Sequence, residues 1–381
     1  PPLGRRAGVL PTGRNLYAVD PRMVPSRVAH GQGVRLAEEL LRRHLQDHGD
    51  WPRGLVVDLW GSATMRTAGE EFAMALHLAG LAPQWDCGTE RVCGFEILPP
   101  ALLGRPRIDV TLRVSGLFRD VFPGLAQMFE AAATALADRR EPVEENPYTM
   151  RGPRVFGPKP GHYGVGMGTA LEDYSDQGRD QAGEAWLSAS EWAISVKGES
   201  RQDRAALEAR LRMTDSVVHV QDLPETDLLL AADYAAHEAG PAAALARIGG
   251  AAPTLYHLDA TRPQAPRART VSEEIARVVR ARAGNPEWAN GMMRHGFRGA
   301  AEITATLDNL AAFAQLTRDV PAHLFDIYYN ATLGRDDLVA FMERENPAAL
   351  AALRERFRAL DRAGLWVTRR NAIAASLWNT P

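Results

Sequence analysis

Two residue types are nearly missing from the 381-residue chain. Cysteine occurs only at Cys87 and Cys93, too few to staple a chain this long, so no disulfide framework is expected and both read as free thiols. Lysine occurs only at Lys159 and Lys197, leaving arginine as 42 of the 44 basic residues. A phosphate-binding GxxxxGK[ST] loop needs a lysine directly after glycine; these two follow Pro158 and Val196, so the chain carries no P-loop. An excess of one charge is lacking too. The 44 basic residues face 47 acidic ones, a net charge of −3, which supplies no global positive field for a nucleic acid. No apolar run approaches the ~18 residues that read as a membrane span, and the first eight residues lack the layout of a signal peptide. A cytoplasmic protein without a nucleic-acid or membrane partner is expected. What is present, 45% hydrophobic and 24% charged residues, suffices for two or three domains at roughly 100–200 residues each. A start at Pro1 rather than Met points to a piece of something longer.

Leu10 to Ser26 reads as an ordered loop, and Ser26 then caps a helix that runs to His48 and stops at Gly49. Gly54 to Trp60 is a short apolar run with the look of a buried strand. Thr67 with Glu70 forms a capping-box pattern ahead of a helix to about Ala79, and Phe95 to Leu98 is strand-like. The pattern recurs with a strand over Arg107–Val114, a turn at Ser115-Gly116 and a helix to about Ala137. Residues 141–168 are dense in glycine and proline and read as a linker or a loop that covers a site. Helices are expected at about 184–196 and 202–212, and strands at 217–220 and 254–258. Between those two strands Pro224 opens a helix over 225–238 that ends at Gly240. From Thr270, with Glu273 in a second capping box, through the helix opened by Pro286 to about Leu377, everything is helical in pattern. Strands alternating with helices imply an α/β protein: a Rossmann-like, mainly parallel sheet with flanking helices, followed by a mostly α-helical C-terminal region. Four segments are expected, at 1–140, 141–168, 169–269 and 270–381. Ligands in such sheets bind outside the carboxyl ends of the strands, which here present Trp60, Gly61 and Ser62 from one unit and Ser115, Gly116 and Arg119 from another.

Asp233 and His237 lie four apart on the helix expected from Glu225, with Glu225 and Glu238 flanking their face. Carboxylates beside an imidazole suit general-base work or transient binding of a borderline divalent metal such as cobalt, and equally suit a salt-bridged surface helix. His295 falls at the expected C-terminus of the Pro286 helix, where an imidazolium meets the helix dipole favourably. Arg262, Arg267 and Arg269 surround Asp259 in a loop that could grip a polycarboxylate, or simply be solvated. The glycines of 161–168 resemble a phosphate cradle, but no strand leads into them. Asp58 inside a buried strand requires an arginine or backbone partner. These patterns reach an α/β protein with an arginine-rich loop and an acid–imidazole helix, and stop short of a reaction.

Longer strings carry a resemblance: LPTGRNLYAVDP (10–21), VVDLWGSATMRTAGEEFAMAL (56–76), GRPRIDVTLRVSGLFRDVFP (104–123), NPYTMRGPRVFGPKPGHYGVGMG (146–168), HVQDLPETDLLLAADYAAHEAG (219–240), YHLDATRPQAPRART (256–270) and NPEWANGMMRHGFRGAAEI (285–303). Over residues 10–371 the chain resembles the C-terminal part of the large, CobN-type subunit of aerobic cobaltochelatase, and more distantly the H subunit of magnesium chelatase. The resemblance implies an ATP-dependent ligase that inserts Co²⁺, its substrate, into hydrogenobyrinic acid a,c-diamide during cobalamin synthesis. It also implies two partner subunits, an AAA+ ATPase and one with an integrin-like domain, with ATP and Mg²⁺ held there and not on this chain. Family members are several times longer. Metal insertion calls for a base and exchangeable ligands, roles for which His237, Glu238 and Asp233 are the expected acid–base groups. His237, His295 and Glu225 are the expected metal contacts. Arg14, Arg262, Arg267, Arg269, Trp60 and Ser115 are expected to contact the corrinoid. The alternatives are a magnesium chelatase acting on protoporphyrin, or a module that binds the ring or docks a partner without chemistry of its own.

Overall fold

The computed structural model describes residues 19–379; Arg14 and the start of the N-terminal loop lie outside the described residues. The chain groups into two compact units that interleave in sequence. The first takes residues up to Gly166, Leu187–Leu223 and Ile248–Arg269, and the second takes Met167–Trp186, Pro224–Arg247 and Thr270 onward. Among the described residues no helix is long and apolar enough to cross a membrane.

The first unit is built on one eight-stranded sheet. Its strands are β1 (Gly54–Leu59), β4 (Asp109–Val114), β5 (Val155–Gly157), β6 (Trp192–Ile194), β7 (Ser200–Gln202), β8 (Ser216–Gln221), β9 (Thr254–Asp259) and β10 (Arg267–Thr270). Their order is β10-β9-β8-β1-β4-β5-β6-β7, and β9, β8, β1, β4 and β5 run parallel, as the alternating pattern implies. β2 (Leu81–Trp85) and β3 (Val92–Ile97) form a separate antiparallel pair. All six residues of β1 and of β4 are buried, which is why these strands read as continuous apolar runs rather than alternating ones. Helices α1 (Arg27–His48), α2 (Gly61–Thr67), α3 (Glu70–Leu78), α4 (Gly116–Val121) and α5 (Pro123–Ala137) follow the strands. Leu36 and Leu40 of α1, Phe72 and Leu76 of α3 and Phe129 of α5 share a core with Val57, Leu59, Leu112 and Val218 of the sheet. The caps of α1 are those expected: the Ser26 hydroxyl accepts the Ala29 N–H at 3.1 Å, and Gly49 closes the helix in the left-handed conformation. Thr67 accepts the Glu70 N–H at 3.2 Å, but as the last residue of α2; α3 is capped by Gly69.

The second unit is helical. The helices Gly296–Thr317, Ala322–Ala331 and Pro347–Arg362 bury Tyr328, Phe357 and Trp366, and the Trp366 indole donates to Asp326 at 2.9 Å. The Thr270–Glu273 capping box is present, and Asn285 caps the helix that Pro286 opens.

Two local expectations are corrected. The helix expected at 184–196 runs over Asp176–Ser188 instead, and Trp192–Ile194 is β6. The helix expected over 225–238 begins only at Ala232, because tertiary bonds hold the preceding segment open. Asp227 accepts the Leu229 N–H and two bonds from Arg282, at 2.6 and 2.9 Å, while Asn309 donates to the Leu229 carbonyl at 2.9 Å. Nor does Gly240 end that helix, which passes through a π-helical turn at Ala235–Ala239 and continues over Gly240–Arg247. Glycine is there for close approach: a Cβ would lie 2.5 Å from Cδ1 of Trp186.

Candidate functional site

From β1 the chain moves outward to β4 and β5, then returns to the other side of β1 for β8 and β9. The reversal places the switch point at the carboxyl ends of β1 and β8, where open α/β sheets bind ligands. A polar row crosses the sheet just below those ends. Parallel register sets Asp58 opposite both Arg113 and His219, and His219 opposite His257, so the four side chains share one face. All four are buried. Asp58 Oδ1 accepts from Arg113 Nη1 at 3.1 Å, Oδ2 accepts from the Trp60 indole at 2.7 Å, and His219 Nδ1 lies 3.4 Å from Oδ2. Arg113 Nε donates to the Ser190 hydroxyl at 3.2 Å. The Trp60 ring tilts over His219 with centroids 4.6 Å apart. Burying these charges is tolerable only because they meet one another with hydrogen-bonding geometry.

Directly above, Arg66 of α2 grips Asp222, the residue after β8, through two bonds of 2.7 and 2.8 Å. Next to it Glu71 of α3 is 2% exposed, with Oε2 3.0 Å from the Thr67 hydroxyl and Oε1 without a hydrogen-bond partner among the described residues. Burial, reinforced by the Asp222 carboxylate, pushes the Glu71 carboxyl up to about 8, so near neutral pH it is mostly a carboxylic acid. Ser115, at the end of β4, accepts the N–H groups of Gly61 and Phe118 at 3.1 and 3.2 Å and so ties together the starts of α2 and α4.

The second unit holds the acid–imidazole group. His237 and Glu238 are buried on the π-helical turn, a feature that often marks functional positions. Asp233 is exposed before it, and the wider turn shifts the helical register between Asp233 and His237. Glu225 is exposed on the non-helical segment and therefore does not flank that face. His295 is exposed between the helices Pro286–Met293 and Gly296–Thr317. Among the described residues no three of His, Cys, Asp and Glu assemble as a metal site, so His237, His295 and Glu225 do not form one.

The family model described as CobN/Magnesium Chelatase matches residues 1–373. The chain belongs to this family. It is 44% identical to the aerobic cobaltochelatase subunit CobN of Sinorhizobium sp, over 97% of this chain and 31% of that protein. It is 28% identical to the magnesium chelatase large chain of Cereibacter sphaeroides, the H type, over 97% of this chain and 32% of that one. The solved catalytic subunit of cobaltochelatase from Mycobacterium tuberculosis superposes with a TM-score of 0.91 at 36% identity, covering 97% of this chain and 33% of its own. The chain thus spans about a third of the length of the CobN/magnesium chelatase proteins it matches.

Within this family member the structure places Trp60 and Ser115 at the carboxyl edge of the sheet, as expected, and binds both to neighbouring protein groups. The arginine-rich loop is partly a strand. Arg267 and Arg269 lie on β10, and Arg269 pairs with Asp259 at 3.4 Å, while Arg262 is exposed on the turn before it. Sequence reasoning singled out Asp58 but missed His219, Arg66, Asp222 and Glu71. A signal for His219 existed: VVHV, a second apolar strand interrupted by one polar residue, as GLVVDL is by Asp58.

Proposed function

We propose that the chain is part of the large, tetrapyrrole-holding subunit of an ATP-dependent cobaltochelatase, a ligase that forms cobalt–nitrogen bonds. Its substrates are Co²⁺ and hydrogenobyrinic acid a,c-diamide, in cytoplasmic, aerobic cobalamin synthesis. The observation that carries the reading is the contrast between 44% identity to a cobalt-branch subunit and 28% to a magnesium-branch one over the same 97% of the chain. An AAA+ ATPase partner holds ATP and Mg²⁺, and a subunit with an integrin-like domain completes the complex. The lack of a lysine-after-glycine loop in this chain supports that division.

Insertion must take inner N–H protons from the ring and hand a desolvated ion to its nitrogens, which requires a base and weak, exchangeable ligands rather than a closed cage. His237 and Glu238 are the proton-accepting pair in this reading, with Asp233 as an exposed auxiliary. His295 and Glu225, both exposed, suit passing contact with the incoming ion. Arg262 and Arg267 suit the carboxylate and amide rim, and Trp60 the ring.

The test is reconstitution of the full-length subunit with both partners, ATP, Co²⁺ and the metal-free diamide, following the ring's visible spectrum. His237→Ala is expected to slow insertion by about 100-fold while ring binding persists. Unchanged insertion would remove His237 from the chemistry. Preference for protoporphyrin and Mg²⁺ would move the protein to the magnesium branch, and ring binding without insertion would make it a binding module.

A further inference from the structure

The loop after β5, residues 158–166, carries an exposed aromatic ring that is held unusually firmly. Arg119 of α4 is buried, and its Nη1 donates to the carbonyls of Pro158 and Lys159 at 2.9 and 2.8 Å while Nε donates to Asp120 at 2.7 Å. The other oxygen of Asp120 accepts the Tyr163 hydroxyl at 2.5 Å, and the Tyr163 ring centroid lies 5.8 Å from the Arg119 guanidinium carbon. Beneath the ring is Gly116, where a Cβ would lie 2.7 Å from Cδ1 of Tyr163 and 2.6 Å from the His162 carbonyl. Tyr163 is therefore fixed by a carboxylate, a guanidinium and a glycine floor, yet it remains 63% exposed. Fixing a side chain costs rotamer entropy that an exposed ring does not recover by burial, whereas a ring set in place in advance lowers the cost of binding something flat. The position fits: the loop leaves the carboxyl end of β5, and α4 leaves that of β4. Lys159 and His162, both exposed, add positive and hydrogen-bonding groups beside the ring.

We propose that Tyr163 is a stacking contact for one face of the tetrapyrrole, with Lys159 meeting a carboxylate on its rim, and that Arg119 is a positioning residue that acts through the loop. The inference rests on the reading above that a tetrapyrrole is held by this subunit. It selects this loop from the whole carboxyl edge because only here is an exposed aromatic ring braced from three sides. Lys159 supplies the charge that a peripheral carboxylate would meet.

The experiment is titration of metal-free hydrogenobyrinic acid a,c-diamide into the full-length subunit, read by the ring's visible absorbance. Tyr163→Ala is expected to weaken binding about tenfold, and Tyr163→Phe, which keeps the ring, by less than about threefold. Gly116→Ala, which displaces the loop without touching Tyr163, is expected to weaken binding as Tyr163→Ala does. Lys159→Gln should weaken it at low salt and lose its effect at high salt. Circular dichroism confirms that each variant is folded. Binding by Tyr163→Ala as tight as that of the native subunit overturns the stacking role and leaves the wider reading intact. Failure of the folded native subunit to bind the ring overturns the wider reading, and the stacking role with it.

Discussion

At pH 8.5 the Glu71→Gln variant is expected to unfold at a higher temperature than the native chain, and at pH 4.5 the two should melt close together. The reason is linkage. Glu71 is buried against Thr67 and Asp222, and its carboxyl is pushed from an ordinary value near 4.5 up to about 8. Between those values the folded chain holds a proton that the unfolded chain has released. The advantage of the protonated form is full below pH 4.5 and is lost progressively as pH rises through about 8, so native stability falls across that window. At about 1.4 kcal/mol per pH unit of differential titration, with relaxation taking back part of it, the loss by pH 8.5 is on the order of 2–4 kcal/mol. Glutamine keeps the shape and a hydrogen-bonding group near Thr67 but cannot ionise. Urea or thermal melts of both chains at pH 4.5, 7 and 8.5 measure the difference, and parallel pH profiles would show that Glu71 is ionised at neutral pH after all.

Asp58→Ala should be the most damaging single change at the sheet. It leaves the Arg113 guanidinium, 2% exposed, without the carboxylate 3.1 Å away, and it frees the Trp60 indole. Removing one partner of such a pair costs about 3–5 kcal/mol, much of it the penalty of a buried charge left uncompensated. The double change Asp58→Ala with Arg113→Met is therefore expected to be more stable than Asp58→Ala alone, because it takes out the stranded charge. Urea midpoints of the three chains test this. A shift in tryptophan emission in both variants that lack Asp58 would report the loosening of Trp60. A cost below about 1 kcal/mol for Asp58→Ala would mean that other groups carry Arg113.

Local chemistry made the framework readable. The Ser26 cap, the Thr270–Glu273 box and the Asn285-Pro286 start each draw on residues within one turn, and all three are present. Strand–helix alternation likewise announced the parallel sheet. The segment 225–231 was misread because its conformation is decided by Arg282 and Asn309, which stand 55 and 80 residues from the groups they bind. Gly240 was misread as a stop because glycine also serves close packing, and only the position of Trp186 distinguishes the two uses. The polar row followed the same logic. Asp58 stood out as a charge in an apolar strand, but Arg113, His219 and His257 join it only once strand register is known, and nothing in the motif EEF shows that the second of its glutamates is the one enclosed.

The central position of β1 also has a consequence for how the chain emerges during synthesis. β4 is made about 50 residues after β1, but the strand that covers the other edge, β8, comes about 160 residues after it. At about 5–20 residues per second, the ribosome leaves that edge open for roughly 8–30 s. Through that interval an apolar hexapeptide, GLVVDL, offers unpaired backbone to any neighbouring nascent chain. Messages truncated between the codons for Val114 and Ser216 would release this edge permanently, making products that aggregate rather than partial domains that survive.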